Sequence, residues 1–356
     1  MSETSHIPKA ILYYNPSSIW SACGVEEKGY GEDELERKIV DLGKAENLSL
    51  SFLRINPQGT VPTLVVPLEK TLAPDDDHRY KAVTDTKSVL EFLDKSRSAI
   101  SRTHTVSSAP APALAPATIA LSSTASVIID LLHSDDASPK IRVFNYASQS
   151  TLKRTAETLL PFFSGRRDAI SSYITASQNA QIQASERTRK LWDSKKVEAD
   201  FLVTVFGAAD KEDAALSPEE KAARDEYRAT ANDRWSVKLK KALVSLNKEI
   251  TGPFSLGDQV SIVDLHLAPW LARIAFLCDG LTSDDGDTIV AKIETRIGGG
   301  FTLPKDFQSV ASPTPNQVPD PSLEITPGAK RVKLAAFWDE MKQRSSWKKV
   351  YGESLF

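Results

Sequence analysis

The chain has 356 residues, enough for two domains, and its 41% hydrophobic and 26% charged composition is that of an ordinary globular protein. Its 44 Lys and Arg against 47 Asp and Glu give a net charge of −3 without a long basic block, which makes nucleic acid a poor partner. The polar start Met1 to His6 lacks a signal-peptide core and no apolar run could cross a bilayer, so a soluble protein without a membrane partner is expected.

Ala10 to Tyr14 reads as a buried strand and Asn15-Pro16-Ser17-Ser18 as a turn. Ile19 to Gly29 predicts a short helix, Arg37 to Leu42 a second strand, and Asn47 to Arg54 a helical turn. Asn56-Pro57-Gln58-Gly59 is turn chemistry, and Thr63 to Val66 is a β-branched, apolar strand with Pro62 just before it. A cis Val61-Pro62 bond would turn Val61 outward and leave its N–H and C=O for an extended, peptide-like ligand. Pro67 to His78, with Asp75-Asp76-Asp77, reads as a solvated hairpin tip, and Arg79 to Val83 as a fourth strand. Val89, Leu90 and Leu93 then predict a helix from Thr86 to about Ser96. The order β-α-β-α-β-β-α is a thioredoxin-like layout filling residues 1–98.

Residues 99–116, rich in Ser, Ala, Thr and Pro, read as a linker to an all-helical domain over 117–356. Helices are expected over Ala117–His133 and Gln149–Phe163, then one extended helix over Arg166–Phe206, broken by the acidic stretch Ala208–Leu216. Ser217-Pro218-Glu219-Glu220 is a capping box that opens a helix whose apolar face runs from Trp235 to Ile250. Ser261-Ile262-Val263-Asp264 is a second box: the Ser261 hydroxyl is expected to accept from the Asp264 N–H, and the Asp264 carboxylate to reach the Ser261 N–H. Gly298 to Pro327 predicts a long loop, and Val332 to Met341 a return to helix.

Four segments together resemble the cytosolic glutathione transferases. They are Asn56 to Leu64 (NPQGTVPTL), Asn15 to Ser21 (NPSSIWS), Gly257 to Asp264 (GDQVSIVD) and the aromatic tail Phe337 to Ser354. The resemblance implies an α+β, thioredoxin-like first domain followed by the family's all-helical second domain, enlarged here over 149–216. It implies glutathione as co-substrate, a hydrophobic electrophile as second substrate, a homodimer, and a role in detoxification or secondary metabolism. Conjugation, glutathione-dependent isomerisation and ether cleavage share one such site. A protein that binds glutathione or a hydrophobic ligand without turnover is the competing reading.

Glutathione chemistry needs a clamp for a tripeptide and a donor that favours thiolate over thiol. By the resemblance, Ser18 or Ser17 supplies the hydroxyl, Ser21 is the fallback, and Ile19 stands where the family has proline. Val61 and Pro62, with Gln58 beside them, clamp the cysteinyl backbone; Asp85 takes the γ-glutamyl amine and Thr86 its carboxylate. The three serines also suit turn and N-cap roles, and Asp85 suits an ordinary N-cap. Cys23 has no C-x-x-C partner and reads as a packing residue, and its distance from Cys278 argues against a disulfide and fits the cytoplasm. His6, His78, His104, His133 and His266 share no ligand spacing, so no metal is expected; Asp264 reads as a folding residue.

Overall fold

The computed structural model describes residues 9–20, 23–32, 34–67, 80–97, 112–308 and 329–355, with backbone alone for 23–25. The first elements are β1 (Ala10–Tyr14), α1 (Cys23–Lys28), β2 (Leu35–Ile39), α2 (Leu50–Ile55), β3 (Thr63–Pro67), β4 (Tyr80–Val83) and α3 (Thr86–Ser96). The strands form one sheet in the order β2-β1-β3-β4. β1 and β2 are parallel, with Tyr14 opposite Ile39. β3 is antiparallel to both its neighbours, pairing Thr63 with Tyr13 and Leu64 with Val83. This is the expected thioredoxin-like arrangement. Leu12, Leu35, Leu64 and Val66 of the sheet close on Val89 and Leu93 of α3, the apolar face that the helical spacing foretold.

Several boundaries move, each for a local reason. β2 lies N-terminal of the expected 37–42 because the chain turns at Asp41, whose carboxylate accepts the Lys44 N–H while its own N–H donates to Glu46. α1 spans only Cys23–Lys28 and stops at Gly29, whose φ of +67° is a left-handed helix end. A 3₁₀ turn, Glu46–Leu48, precedes α2, so the helical stretch expected over 47–54 is two elements. The hairpin tip over 68–78, Ser21 and most of the linker, 98–111, lie outside the described residues.

Beyond α3 every regular element among the described residues is helical, as expected: α4 (Ile119–Leu132), α5 (Gln149–Gln178), α6 (Glu186–Gly207), α7 (Pro218–Asn232), α8 (Lys240–Glu249), α9 (Ile262–Leu277), α10 (Gly286–Ile297), α11 (Lys333–Gln343) and α12 (Ser345–Tyr351). The break expected near Arg166 is absent. α5 runs straight through Pro161 and Gly165, and the interruption falls at 179–185 instead. Packing overrides the two helix breakers: Leu152, Ala156, Leu159 and Phe163 of α5 bury against Leu202, Val205 and Phe206 of α6. The helix expected from Ser217 to Ile250 carries a π-helical stretch, Asp233–Leu239, between α7 and α8. The loop expected over 298–327 is described only to residue 308.

The described residues group into two compact units. One holds the sheet, α1–α3 and α5–α7; the other holds α4 and α8–α12. These units cut the chain differently from the 1–98, 99–116 and 117–356 division, because the long helices pack on elements far away in sequence.

In the second unit α9 is buried nearly all round and packs against α4 and α10. Asp264, fully buried, anchors its start. One carboxylate oxygen accepts the Ser261 N–H at 2.6 Å, and the other accepts the Ser255 N–H at 2.8 Å. The Ser261 hydroxyl donates to the carboxylate at 2.9 Å, and the Asp264 N–H goes to the Ser261 carbonyl. His266 is buried on the same helix, its Nδ1 3.0 Å from Nε2 of His133 on the residue after α4. The box at Ser217 and Glu220 is solvent-facing and makes both expected bonds. Burial therefore predicts unequal costs. Ser217→Ala should lose about 1 kcal/mol. Asp264→Ala strands two buried backbone donors as well as a cap and should lose about 2–4 kcal/mol. Urea unfolding of the two variants measures the difference; equal losses would show that burial adds nothing to the cap.

Candidate functional site

The strand register brings three segments to one end of the sheet. Tyr13 pairs with Thr63 and Leu64 with Val83, so the chain leaving β1, entering β3 and leaving β4 does so at the same edge. Asn15–Ser18, Val61–Pro62 and Asp85–Thr86 are those exits and that approach.

The turn after β1 is built on Asn15. Its Nδ2 donates to the Val40 carbonyl at 2.9 Å, and the Val40 N–H donates to the Tyr14 carbonyl, tying the ends of β1 and β2. Its Oδ1 accepts the Ser17 N–H at 2.9 Å and the Ser17 hydroxyl at 2.6 Å. The Ser18 N–H closes the turn onto the Asn15 carbonyl. The two serines thereby differ. Ser17 is exposed with its hydroxyl donated to Asn15, whereas the half-buried Ser18 has no partner for its hydroxyl among the described residues. Ile19 behind them is buried.

The segment before β3 is held by two buried asparagines. Asn56 donates from Nδ2 to the Thr60 carbonyl and hydroxyl, both at 3.0 Å, and to the Thr63 hydroxyl at 2.9 Å, and accepts the Gln58 N–H on Oδ1. Asn47 donates to the Gly59 carbonyl at 2.5 Å. Gly59 sits at φ +63°, where a Cβ would lie 2.9 Å from both the Asn47 carbonyl and Leu48. With the turn so closed, the Val61-Pro62 bond is cis and neither the N–H nor the C=O of Val61 has a partner among the described residues. An extended peptide could pair there as an added strand. Gln58 is exposed beside a cavity of about 500 Å³, whose other wall is Ser185, Arg187, Thr188 and Leu191 at the start of α6.

Asp85 caps α3, accepting the Lys87 and Ser88 N–H groups at 3.0 and 3.1 Å. This is the ordinary N-cap role that the sequence also allowed for Asp85. Thr86 follows at the first helical position, where N–H groups and the helix dipole favour a carboxylate. Cys278 is buried in the second unit, its thiol pushed up to about 12 by burial, which leaves it unreactive at neutral pH. No cluster of three metal-ligating side chains occurs among the described residues, and no helix there is long and apolar enough to cross a membrane. The sequence placed Asn56 in a turn; Asn47 and Arg166, whose Nη1 bonds Asn47, were not foreseen from it, and the one available signal was Gly165 inside a helical pattern, which marks a close backbone approach.

No family model matches the sequence, and no curated protein matches it. Solved structures similar to it include the β-etherase LigF from Sphingobium sp. strain SYK-6, at 15% identity and a TM-score of 0.46, covering 98% of this chain and 100% of that one. Glutathione transferase Omega 3C from Trametes versicolor is 14% identical with a TM-score of 0.44, covering 98% of this chain and 87% of that one. Gtt2 from Saccharomyces cerevisiae is 14% identical with a TM-score of 0.44, covering 96% and 100%. At such identities and TM-scores nothing about activity follows; the thioredoxin-like assignment rests on this chain's own strand order.

The left-handed backbone and close contacts at Gly59 predict that Gly59→Ala costs about 1–2 kcal/mol from the backbone conformation alone. It should also loosen the segment around Val61. Thermal unfolding reads the first effect and proteolytic nicking between α2 and β3 the second; a variant as stable and as resistant as the parent would show that the turn tolerates a side chain.

Proposed function

We propose that this protein binds glutathione along Val61 and presents it as a thiolate to a hydrophobic electrophile. The carrying observation is the free backbone edge of Val61 at the same end of the sheet as the Ser18 hydroxyl and the start of α3. A tripeptide paired with Val61 would extend one way toward Thr86, where a carboxylate is favoured. Its central cysteine would then lie toward the turn after β1. A hydroxyl that donates to sulfur stabilises the thiolate over the thiol, which lowers the thiol's pKa and raises the nucleophile's fraction at neutral pH. Ser18 suits this better than Ser17, because the Ser17 hydroxyl already serves Asn15. Conjugation, isomerisation and ether cleavage all begin with this thiolate.

Binding without turnover is the second reading, and one observation favours it. α1 has only six residues, Cys23–Lys28, so the turn that carries Ser18 is backed by little helix.

Ser18→Ala separates the two. If Ser18 holds the thiolate, the variant should keep its glutathione affinity and lose roughly tenfold to a hundredfold in turnover near neutral pH, one hydrogen bond to a charged group being worth about 1.5–3 kcal/mol. The sign of the pH effect follows. The parent's bound thiol titrates below the free thiol's pKa and the variant's moves back up, so the defect should shrink as pH rises. Conjugation of a generic aryl halide across a pH series measures it, with Ser17→Ala and Ser21→Ala as controls. If none of the three variants moves the pH–rate profile, a backbone amide holds the thiolate or none forms; a parent that binds glutathione without turnover is a carrier.

A further inference from the structure

The long helices α5 and α6 pack on the chain between β2 and β3. They converge on residues 42–59, the loop and helix that carry the Val61 segment. α5 crosses this loop closely: a Cβ on Gly165 would lie 3.2 Å from the Gly43 carbonyl, and one on Gly43 would lie 3.3 Å from Phe162. That approach lets the next residue, Arg166, reach past the backbone. Its Nη1 donates to the Leu42 carbonyl at 2.7 Å and to Asn47 Oδ1 at 3.1 Å. Asn47, 5% exposed, passes the connection on through its Nδ2 to the Gly59 carbonyl. One helix turn of α6 adds a second tie, Trp192 Nε1 to the Leu48 carbonyl at 2.8 Å. Trp192 packs with Ala45, Leu48, Leu53 and Ile170 in one buried cluster.

From this we infer that Arg166 and Asn47 are positioning residues for the ligand segment, and that the α5–α6 hairpin is a brace against the chain between β2 and β3 that holds it. The chain Arg166, Asn47, Gly59 ends two residues before Val61. It fixes the oxygen of Asn47 with a charged donor, which leaves the Asn47 amide nitrogen facing Gly59 and no other way round. Burial holds the guanidinium below the usual arginine range, and Glu198 of α6 and Tyr173 of α5 oppose that shift. The inference rests on the reading of Val61 as a glutathione edge for its ligand consequence, but its mechanical content does not.

Hydrogen exchange in ligand-free protein tests the mechanical part. The Gln58 and Gly59 amides are bonded to Asn56 and report closure of the turn. In Arg166→Met and in Asn47→Asp these two amides should exchange at least tenfold faster, with β3 amides of Leu64 to Val66 unchanged. Arg166→Lys, which keeps the charge and one donor group, should fall between parent and Met variant, and serves if the Met variant does not fold. Unchanged exchange at Gln58 and Gly59, or an equal rise throughout β3, overturns the brace. Glutathione titration of the same proteins tests the consequence: Kd should rise about tenfold, with kcat at saturating glutathione within about threefold of the parent. A faster-exchanging turn with unchanged Kd overturns the positioning role. If the parent itself binds no glutathione, the functional reading fails and exchange alone decides the brace.

Discussion

Asn56 is the constraint on which the site depends. A turn that leaves Val61 unpaired must satisfy its other polar groups without a neighbouring strand, because an orphaned buried amide or carbonyl costs about 1–3 kcal/mol. The Asn56 side chain, 0% exposed, does this from inside, serving Gln58, Thr60 and Thr63 at once. An amide is the one uncharged side chain with two donors and an acceptor in one plane. Aspartate would lose the donors and place an uncompensated charge in the interior.

Around that centre the structure separates rigid support from chemistry. Asn15 fixes the serine turn to the ends of β1 and β2, Asp85 fixes the start of α3, and Arg166 with Asn47 fixes the ligand segment from the helical side. Among the described residues, the groups left over include the Ser18 hydroxyl, the Val61 backbone and the first amide of α3. Such a division, with locked neighbours and a small number of uncommitted polar groups, is what orientation of a flexible tripeptide requires, since each rotamer frozen in advance is not frozen at binding.

α9 shows the same economy for a different end. Its start is held by a buried carboxylate that serves Ser255 and Ser261 together, so the loop before the helix and the helix itself are ordered by one residue. The boundaries that moved reflect packing rather than propensity. Pro161 and Gly165 would end an isolated helix, yet α5 continues because Leu159 and Phe163 are seated against α6. Gly165 serves as the crossing point with Gly43 rather than as a stop.

Local patterns in the sequence determined a good deal by themselves. The strand at Ala10–Tyr14, the turn at Asn56–Gly59, the β-branched strand after Pro62, the apolar face of α3 and both capping boxes follow from steric and hydrogen-bonding rules that act within a few residues. The segments of the candidate site were visible for the same reason, each being a turn or a helix start. Tertiary structure alone decided the rest. That Ser17 is spent on Asn15 while Ser18 is not depends on an Asn15 orientation set by Val40, the residue after β2. That Asn47 and Arg166 belong to the site depends on a contact across 119 residues of sequence. That the long helices pack on the chain between β2 and β3 depends on which buried faces fit, a property of paired surfaces that no single stretch of chain contains.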